Sequence, residues 1–89
     1  GSLNLTGRSI GAGGLPRPAY TIQEEGRIVI NITVDPKGNV IFAEVGRGTN
    51  IDNASMRKSA LDAARKAKFN SISGANNQSG TITYVYKFK

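Results

Sequence analysis

The sequence contains no cysteine and no histidine. These absences exclude disulfides, thiolate nucleophiles, the common kinds of zinc site and the usual histidine base. The acidic residues are dispersed, and Glu24 and Glu25 are the only two that are adjacent. Neighbouring side chains of an extended segment point in opposite directions, so this pair is poorly placed for acid/base work. We therefore predict no enzymatic activity, no cofactor and no bound metal.

Long apolar runs are also absent. No stretch approaches the roughly 20 residues that a membrane-spanning helix needs, and no signal peptide is visible. The chain has 89 residues. This length predicts a single domain with one small core, because a chain of this size buries only about 60–65% of its unfolded surface.

Negative charge is scarce, and the formal net charge is +6. Such a balance favours anionic partners, for example nucleic acid, a lipid surface or a peptidoglycan-associated polymer. The simpler interpretation is a modest excess of solvated charge that keeps a small domain soluble, and we prefer it.

Residues 1–20 show little hydrophobic periodicity. Their density of glycine and proline predicts an irregular lead-in without a helix. Leu3, Leu5 and Ile10 either form a short strand or pack along the body of the domain. We assign the folded domain itself to residues 21–89.

A predicted β-hairpin over residues 27–45 organises the rest of the chain. Its first strand alternates between apolar and more polar positions, which is typical of a half-buried strand. The apolar positions are Ile28, Ile30, Ile32 and Val34. In the turn, Pro36 suits the first corner, Gly38 can take the left-handed conformation, and the Asp35 side chain can accept a backbone hydrogen bond.

A helix is predicted from residue 53 to residue 68, with Asp52 or Asn53 as its N-cap. A narrow apolar stripe is expected to face a sheet. The stripe comprises Met56, Ala60, Leu61, Ala64 and Ala67. The basic residues of the helix form either a nucleic-acid-binding surface or, as we prefer, a solvated outer face. They are Arg57, Lys58, Arg65, Lys66 and Lys68.

The last predicted strand covers residues 80–89. Its alternation places one set of side chains on the core side, namely Ile82, Tyr84, Tyr86 and Phe88. Phe69, after the helix, is expected to fill the core. The predicted fold class is α+β: a three-stranded antiparallel sheet with one helix packed on one face, in the order β-β-α-β.

Three segments carry a resemblance to a known family. Gly26 to Val40 is similar to the pattern G-x-V-x-V-x-F-x-V-x-x-x-G-x-V, Ser59 to Phe69 to A-A-L-x-A-V-x-x-W-x-F, and Gly80 to Phe88 to G-x-x-x-x-x-x-x-F. In this order they resemble the C-terminal domain of TonB-type energy transducers. The sequence departs from the family pattern in two places, since Ala67 stands at the tryptophan position and the Tyr-Pro lead-in is altered. The chain resembles divergent, Bacteroidetes-like members.

The resemblance implies a periplasmic domain whose parent protein is anchored in the inner membrane. An upstream segment would connect it to an inner-membrane energising complex, and its partner would be an outer-membrane TonB-dependent receptor. In the family, a receptor segment adds to the edge of the last strand. Carried over, the partner-binding residues are Thr81, Thr83, Tyr84, Val85, Tyr86 and Lys87, with Pro18 and Tyr20 in the lead-in.

Two other classes of function stay open. One is a basic α+β module that binds nucleic acid or another anion, which requires exposed stacking aromatics. The aromatic residues Phe42, Phe69, Tyr84, Tyr86 and Phe88 mostly fall on predicted core faces, so we predict no nucleic-acid partner. The other is a structural domain whose edge strands pair with each other in a homodimer.

Overall fold

The computed structural model describes residues 2–11, 14–18, 21–74 and 76–88. It contains four strands and one helix. In chain order these are β1 (Ser2–Asn4), β2 (Gly26–Val34), β3 (Val40–Val45), α1 (Ala54–Arg65) and β4 (Gln78–Tyr86). The predicted α+β class is confirmed. Within the described ranges, no helix is long and apolar enough to cross a membrane.

The predicted three-stranded sheet is wrong in its strand number. The sheet has four strands in the order β1-β4-β2-β3, and every neighbouring pair is antiparallel. The additional strand is β1, which pairs Ser2 with Thr83, Leu3 with Ile82 and Asn4 with Thr81. Of the two possibilities for Leu3, the short strand is therefore the correct one. Because β1 pairs with residues about eighty positions away, local periodicity carries little information about it.

The turn between β2 and β3 has the conformation and the hydrogen bonds that its residues predict. Gly38 adopts φ +90°, and its N–H donates to the Asp35 carbonyl at 3.0 Å. The Asn39 N–H donates to Asp35 Oδ1 at 2.8 Å, and this bond is the main cause of a lowered pKa for the Asp35 carboxyl. The turn is therefore held by the backbone and by one capping carboxylate.

The core lies between the helix and one face of the sheet. Ile28, Ile30 and Ile32 of β2 and Ile82 of β4 are almost completely buried. The helix contributes four buried residues, of which the three alanines allow a close approach to the sheet: Met56, Ala60, Ala63 and Ala64. Asn53 is the N-cap, and its side chain accepts the Met56 N–H at 2.9 Å.

The helix ends at Arg65, before the predicted position 68. Lys66 N–H donates to Ala63 O at 3.1 Å, which tightens the last turn. The chain then becomes extended, and Phe69 N–H donates to Gly38 O at 2.9 Å. Phe69 is buried as predicted. The extended exit of the helix thus closes against the β2–β3 turn.

Two aromatic residues do not lie in the predicted core. Phe42 is 51% exposed and Phe88 is 56% exposed. The β2–β3 register shifts between Thr33 and Val34, so that β3 carries one extra residue and Phe42 pairs with Thr33 on the face away from the helix. Phe88 lies beyond β4, which ends at Tyr86. A bulge and an early strand end, neither visible in the alternation, expose these two rings.

Candidate functional site

The candidate site is the outer edge of β4 between Tyr84 and Lys87, which we call the free edge. On its inner side β4 pairs with β2 along its whole length, from Gly26–Tyr86 to Val34–Gln78. On its outer side β1 covers only Thr81 to Thr83. Among the described residues, no strand pairs with Tyr84, Val85 or Tyr86 on that outer side.

Backbone alternation identifies which groups are available at the free edge. Val29 N–H donates to Thr49 Oγ1, and its carbonyl accepts the Gly46 N–H, so both groups point away from β4. Ile28, the preceding residue, must then point toward β4, where it opposes Tyr84. The backbone groups of Tyr84 are consequently used by β2, and those of Val85 point outward. Val85 therefore offers one donor and one acceptor to an added strand.

The structure separates the predicted partner-binding residues into three groups. Thr81 and Thr83 are half-buried, and their outward backbone positions oppose Asn4 and Ser2 of β1. Tyr84 and Tyr86 point into the core. Val85 is 60% exposed, and Lys87 is exposed just after the strand. Of the predicted positions on β4 and directly after it, Val85 and Lys87 are thus the most accessible.

The side chains of Tyr84 and Tyr86 lie on the core side of β4, next to the free edge. Tyr84 O–H donates to the carbonyl of Pro16 at 3.0 Å, which ties the lead-in to β4. The Tyr86 O–H is buried without a hydrogen-bond partner among the described residues. Burial raises the pKa of Tyr84 to about 12 and that of Tyr86 to about 12, so both rings are uncharged near neutrality.

These tyrosines make stability decrease at alkaline pH. A group whose pKa rises on folding, here from 10.0 to about 12, stabilises the fold fully below the unfolded value. That contribution is lost as pH increases through 10 to 12, because the unfolded chain releases its phenolic protons first. Urea denaturation at a series of pH values should show this loss in the unmodified protein.

The loss should be smaller in Tyr84→Phe and Tyr86→Phe and smallest in the double variant. The comparison uses the slope of stability against pH, because the lost Tyr84 hydrogen bond shifts only the baseline. Equal slopes in the unmodified protein and the double variant would contradict the assignment.

Charged side chains surround the free edge. A shallow depression beside it is lined by Glu25, Gly26, Arg27, Val85, Tyr86 and Lys87. Arg27 lies directly across from Val85 on β2. Glu25 Oε1 accepts the Phe88 N–H at 3.2 Å, which directs the chain after β4 toward the start of β2. An added strand would therefore meet both signs of charge, with cations in excess.

The structure describes only one of the two partner-binding residues that were predicted in the lead-in. Pro18 is half-buried and lies shortly after Pro16, the residue whose carbonyl is bonded to Tyr84. Tyr20 lies outside the described residues. A role for either residue in partner binding stays a prediction.

The basic residues of α1 are partly neutralised within the helix. Lys58 Nζ lies 3.0 Å from Asp62, and Arg65 lies 3.5 Å from the same carboxylate. The hydrogen bond from Lys58 is the main cause of a lowered pKa for Asp62. Such exposed pairs contribute little to stability. They nevertheless reduce the local positive field, as expected for a solvated outer face.

Sequence reasoning did not assign β1 to the site. Ser2, Leu3 and Asn4 lie in the same position beside β4 that an added strand would take. The available signal was the polar–apolar alternation of residues 2–5, which is short and followed by glycines. Within the described part of the chain, no three histidine, cysteine, aspartate or glutamate side chains form a group that could hold a metal ion.

Comparison with known proteins identifies a family. The model described as "Gram-negative bacterial TonB protein C-terminal" matches residues 15–89. This range includes the hairpin, α1, β4 and the segment that carries Pro16, whereas β1 lies outside it. No curated protein and no solved structure matches the chain significantly.

Proposed function

Since the chain belongs to the TonB C-terminal family, we propose that it binds an extended segment of an outer-membrane receptor by strand addition to β4. The family is one of periplasmic domains that take part in energy transduction and transport. The proposal concerns the finer step, which is how this domain holds its partner.

The observation that carries the proposal is the unpaired outer side of β4 at Val85. Main-chain groups that face solvent at a sheet edge pair readily with an extended peptide. Because the inner side of β4 is fully paired with β2, an added strand would be held by a rigid sheet. Affinity would come from backbone hydrogen bonds, which do not depend on the partner's side chains.

Side chains beside the free edge would supply selectivity. Val85 is exposed on the face away from the helix and offers apolar contact to an alternating partner strand. Arg27 across from it and Lys87 after it favour a partner that carries a carboxylate on the same face. Lysine near an edge also discourages pairing between two copies of the domain.

The wider context follows from the family. We propose that the parent protein is anchored in the inner membrane and receives force from an energising complex through a segment upstream of residue 1. A receptor strand lying antiparallel to β4 would be pulled along its length, so that its hydrogen bonds are loaded together in shear. This geometry suits a domain that transmits tension.

An NMR titration tests the proposal. The isotope-labelled domain is mixed with synthetic peptides copying the periplasm-facing N-termini of outer-membrane receptors from the same organism. Strand addition predicts shifts concentrated on Val85 to Lys87 and on the facing residue Arg27. The matched control is each peptide with proline at alternate positions, which removes its donors while keeping its length.

Other outcomes distinguish the remaining classes of function. Shifts on Arg57, Lys58, Arg65 and Lys66 with an anionic polymer, and none on β4 with any peptide, would replace strand addition by a basic-surface function. A sedimentation coefficient that increases with concentration would instead favour a self-pairing domain.

A further inference from the structure

β1 occupies part of the position that an added strand requires. It runs antiparallel to β4 and places Ser2 opposite Thr83 and Asn4 opposite Thr81. Every second residue of β4 points its backbone N–H and C=O to the same side of the strand. The backbone groups of Thr81 and Thr83 therefore point outward, as those of Val85 do. The chain's own N-terminal strand thus pairs with the outward groups that lie next to the free edge.

The edge that β1 leaves free is short. Beyond Thr83, the outward positions before the end of the described chain are Val85 and Lys87, and Lys87 already lies outside the strand. Strands in globular proteins usually contain about 5–6 residues. Without β1, the outward positions would extend continuously over Thr81, Thr83, Val85 and Lys87. A partner gains a full-length edge when β1 is removed.

We propose that β1 is an exchangeable strand, which an extended partner peptide displaces from Thr81–Thr83 when it binds β4. This inference rests on the proposed strand addition and adds its regulation: the domain carries its own competitor for the partner's position. The bonds of β1 to β4 are replaced by equivalent bonds from the partner, so the exchange loses few hydrogen bonds overall.

The structure favours local release of β1 over release of the whole lead-in. Ser2 and Asn4 are exposed and Leu3 is half-buried, so little apolar contact is lost when these residues leave. The next residues are anchored. Leu5 is buried in the core, and Arg8, itself buried, donates to Gln78 Oε1 and to the Asn70 carbonyl.

The order of events follows from strand direction. The N-terminal end of β1, Ser2, is the end that borders the free edge. A partner can therefore pair first with Val85 and then displace Ser2, Leu3 and Asn4 in turn, until Leu5 stops the exchange. Asn4 and Leu5 also pack closely on Gly80 of β4, which sets the same limit to the exchange. A Cβ at Gly80 would lie 2.3 Å from Asn4 O and 2.8 Å from Leu5 Cδ1.

A reversible lock tests the exchange. Ser2→Cys with Thr83→Cys places two thiols on an antiparallel pair whose Cα atoms are about 5.5 Å apart, within the range that a disulfide spans. The chain has no other cysteine, so oxidation yields one defined bond. The reduced form of the same protein is the matched control, and Asn4→Cys with Thr81→Cys is a second lock if the first does not fold.

The probe is the receptor peptide that gives the largest shifts in the unmodified domain. We expect the oxidised form to bind it at least tenfold more weakly than the reduced form and to lose the shifts on Thr81 and Thr83. Equal affinity in both forms, with shifts confined to Val85–Lys87, would overturn the exchange and leave strand addition standing. A lack of shifts on β4 in either form, with every peptide, would overturn both proposals.

A releasing variant gives an independent measurement. Gly80→Ala should push Asn4 and Leu5 away from β4 while leaving Val85 unchanged. Amide hydrogens of Thr81 and Thr83 should then exchange at least tenfold faster, and the same peptide should bind several-fold more tightly. Faster exchange with unchanged affinity would show that β1 does not compete with the partner.

Discussion

Val85→Pro is expected to weaken binding of an extended receptor peptide by about ten- to a hundredfold while leaving the sheet folded. Val85 N–H points outward, so proline removes no bond between β4 and β2. Proline is tolerated in a strand where the missing N–H would face solvent. A peptide carbonyl left without its donor loses about 1–3 kcal/mol, and each 1.4 kcal/mol is about a factor of ten in affinity.

Two comparisons isolate the backbone effect. Val85→Thr keeps the N–H and the β-branched shape, and it should bind within about twofold of the unmodified domain, because a surface substitution changes little. Urea denaturation of both variants checks that the fold survives. Retained binding by a folded Val85→Pro domain would mean that the partner does not pair with β4 at this position.

Gly38→Ala should produce the largest loss of stability among single-methyl additions to the glycines of the loops. A Cβ at this position would lie 2.0 Å from Phe69 O and 2.7 Å from Phe69 C, both backbone atoms that cannot rotate away. The position also has φ +90°, which disfavours a side chain. Together the collision and the strain should cost about 2–4 kcal/mol, the range of severe single substitutions.

Gly74→Ala is the matched control for this prediction. It has φ +73°, and apart from its chain neighbours no described residue has a heavy atom within 4 Å of the added Cβ, so it measures backbone strain alone, about 1–2 kcal/mol. The difference between the two free energies of unfolding isolates the contact between the β2–β3 turn and the exit of α1. Equal losses would show that Phe69 moves aside at little cost.

The strand-addition proposal places partner binding on β4, an element within the range that the family model matches. The family's domains are periplasmic and take part in energy transduction and transport. β4 suits the proposed strand addition because its inner side is fully paired with β2 and its tyrosines are buried in the core.

Local sequence features were sufficient for most of the fold. The alternation in β2, the Asp35–Gly38 turn and the cap at Asn53 predict elements that the structure contains. Each depends on residues that lie close together in the chain, where periodicity and turn chemistry determine conformation directly. The ordered motifs on these elements also identified the family correctly.

Local features failed where distant segments meet. The helix was predicted to continue to residue 68, but Phe69 bonds to Gly38 and draws the preceding residues into an extended form. The aromatic residues were expected mostly on core faces, but the extra residue in β3 leaves Phe42 on the exposed face. In both cases a tertiary contact or a register shift overrides a pattern that is regular in the sequence.

The sequence by itself determined the chain's class and its family, because these follow from patterns carried within single elements, and it led to the proposal that the last strand binds a partner. Only the tertiary structure decided how much of that strand is open. β1 pairs with Thr81 to Thr83 from a distant part of the sequence, and no strand of the described residues covers the outer side of Val85. Pairing over such a distance is set by which edge remains unfilled after the core has packed, and no local pattern in residues 2–4 specifies it.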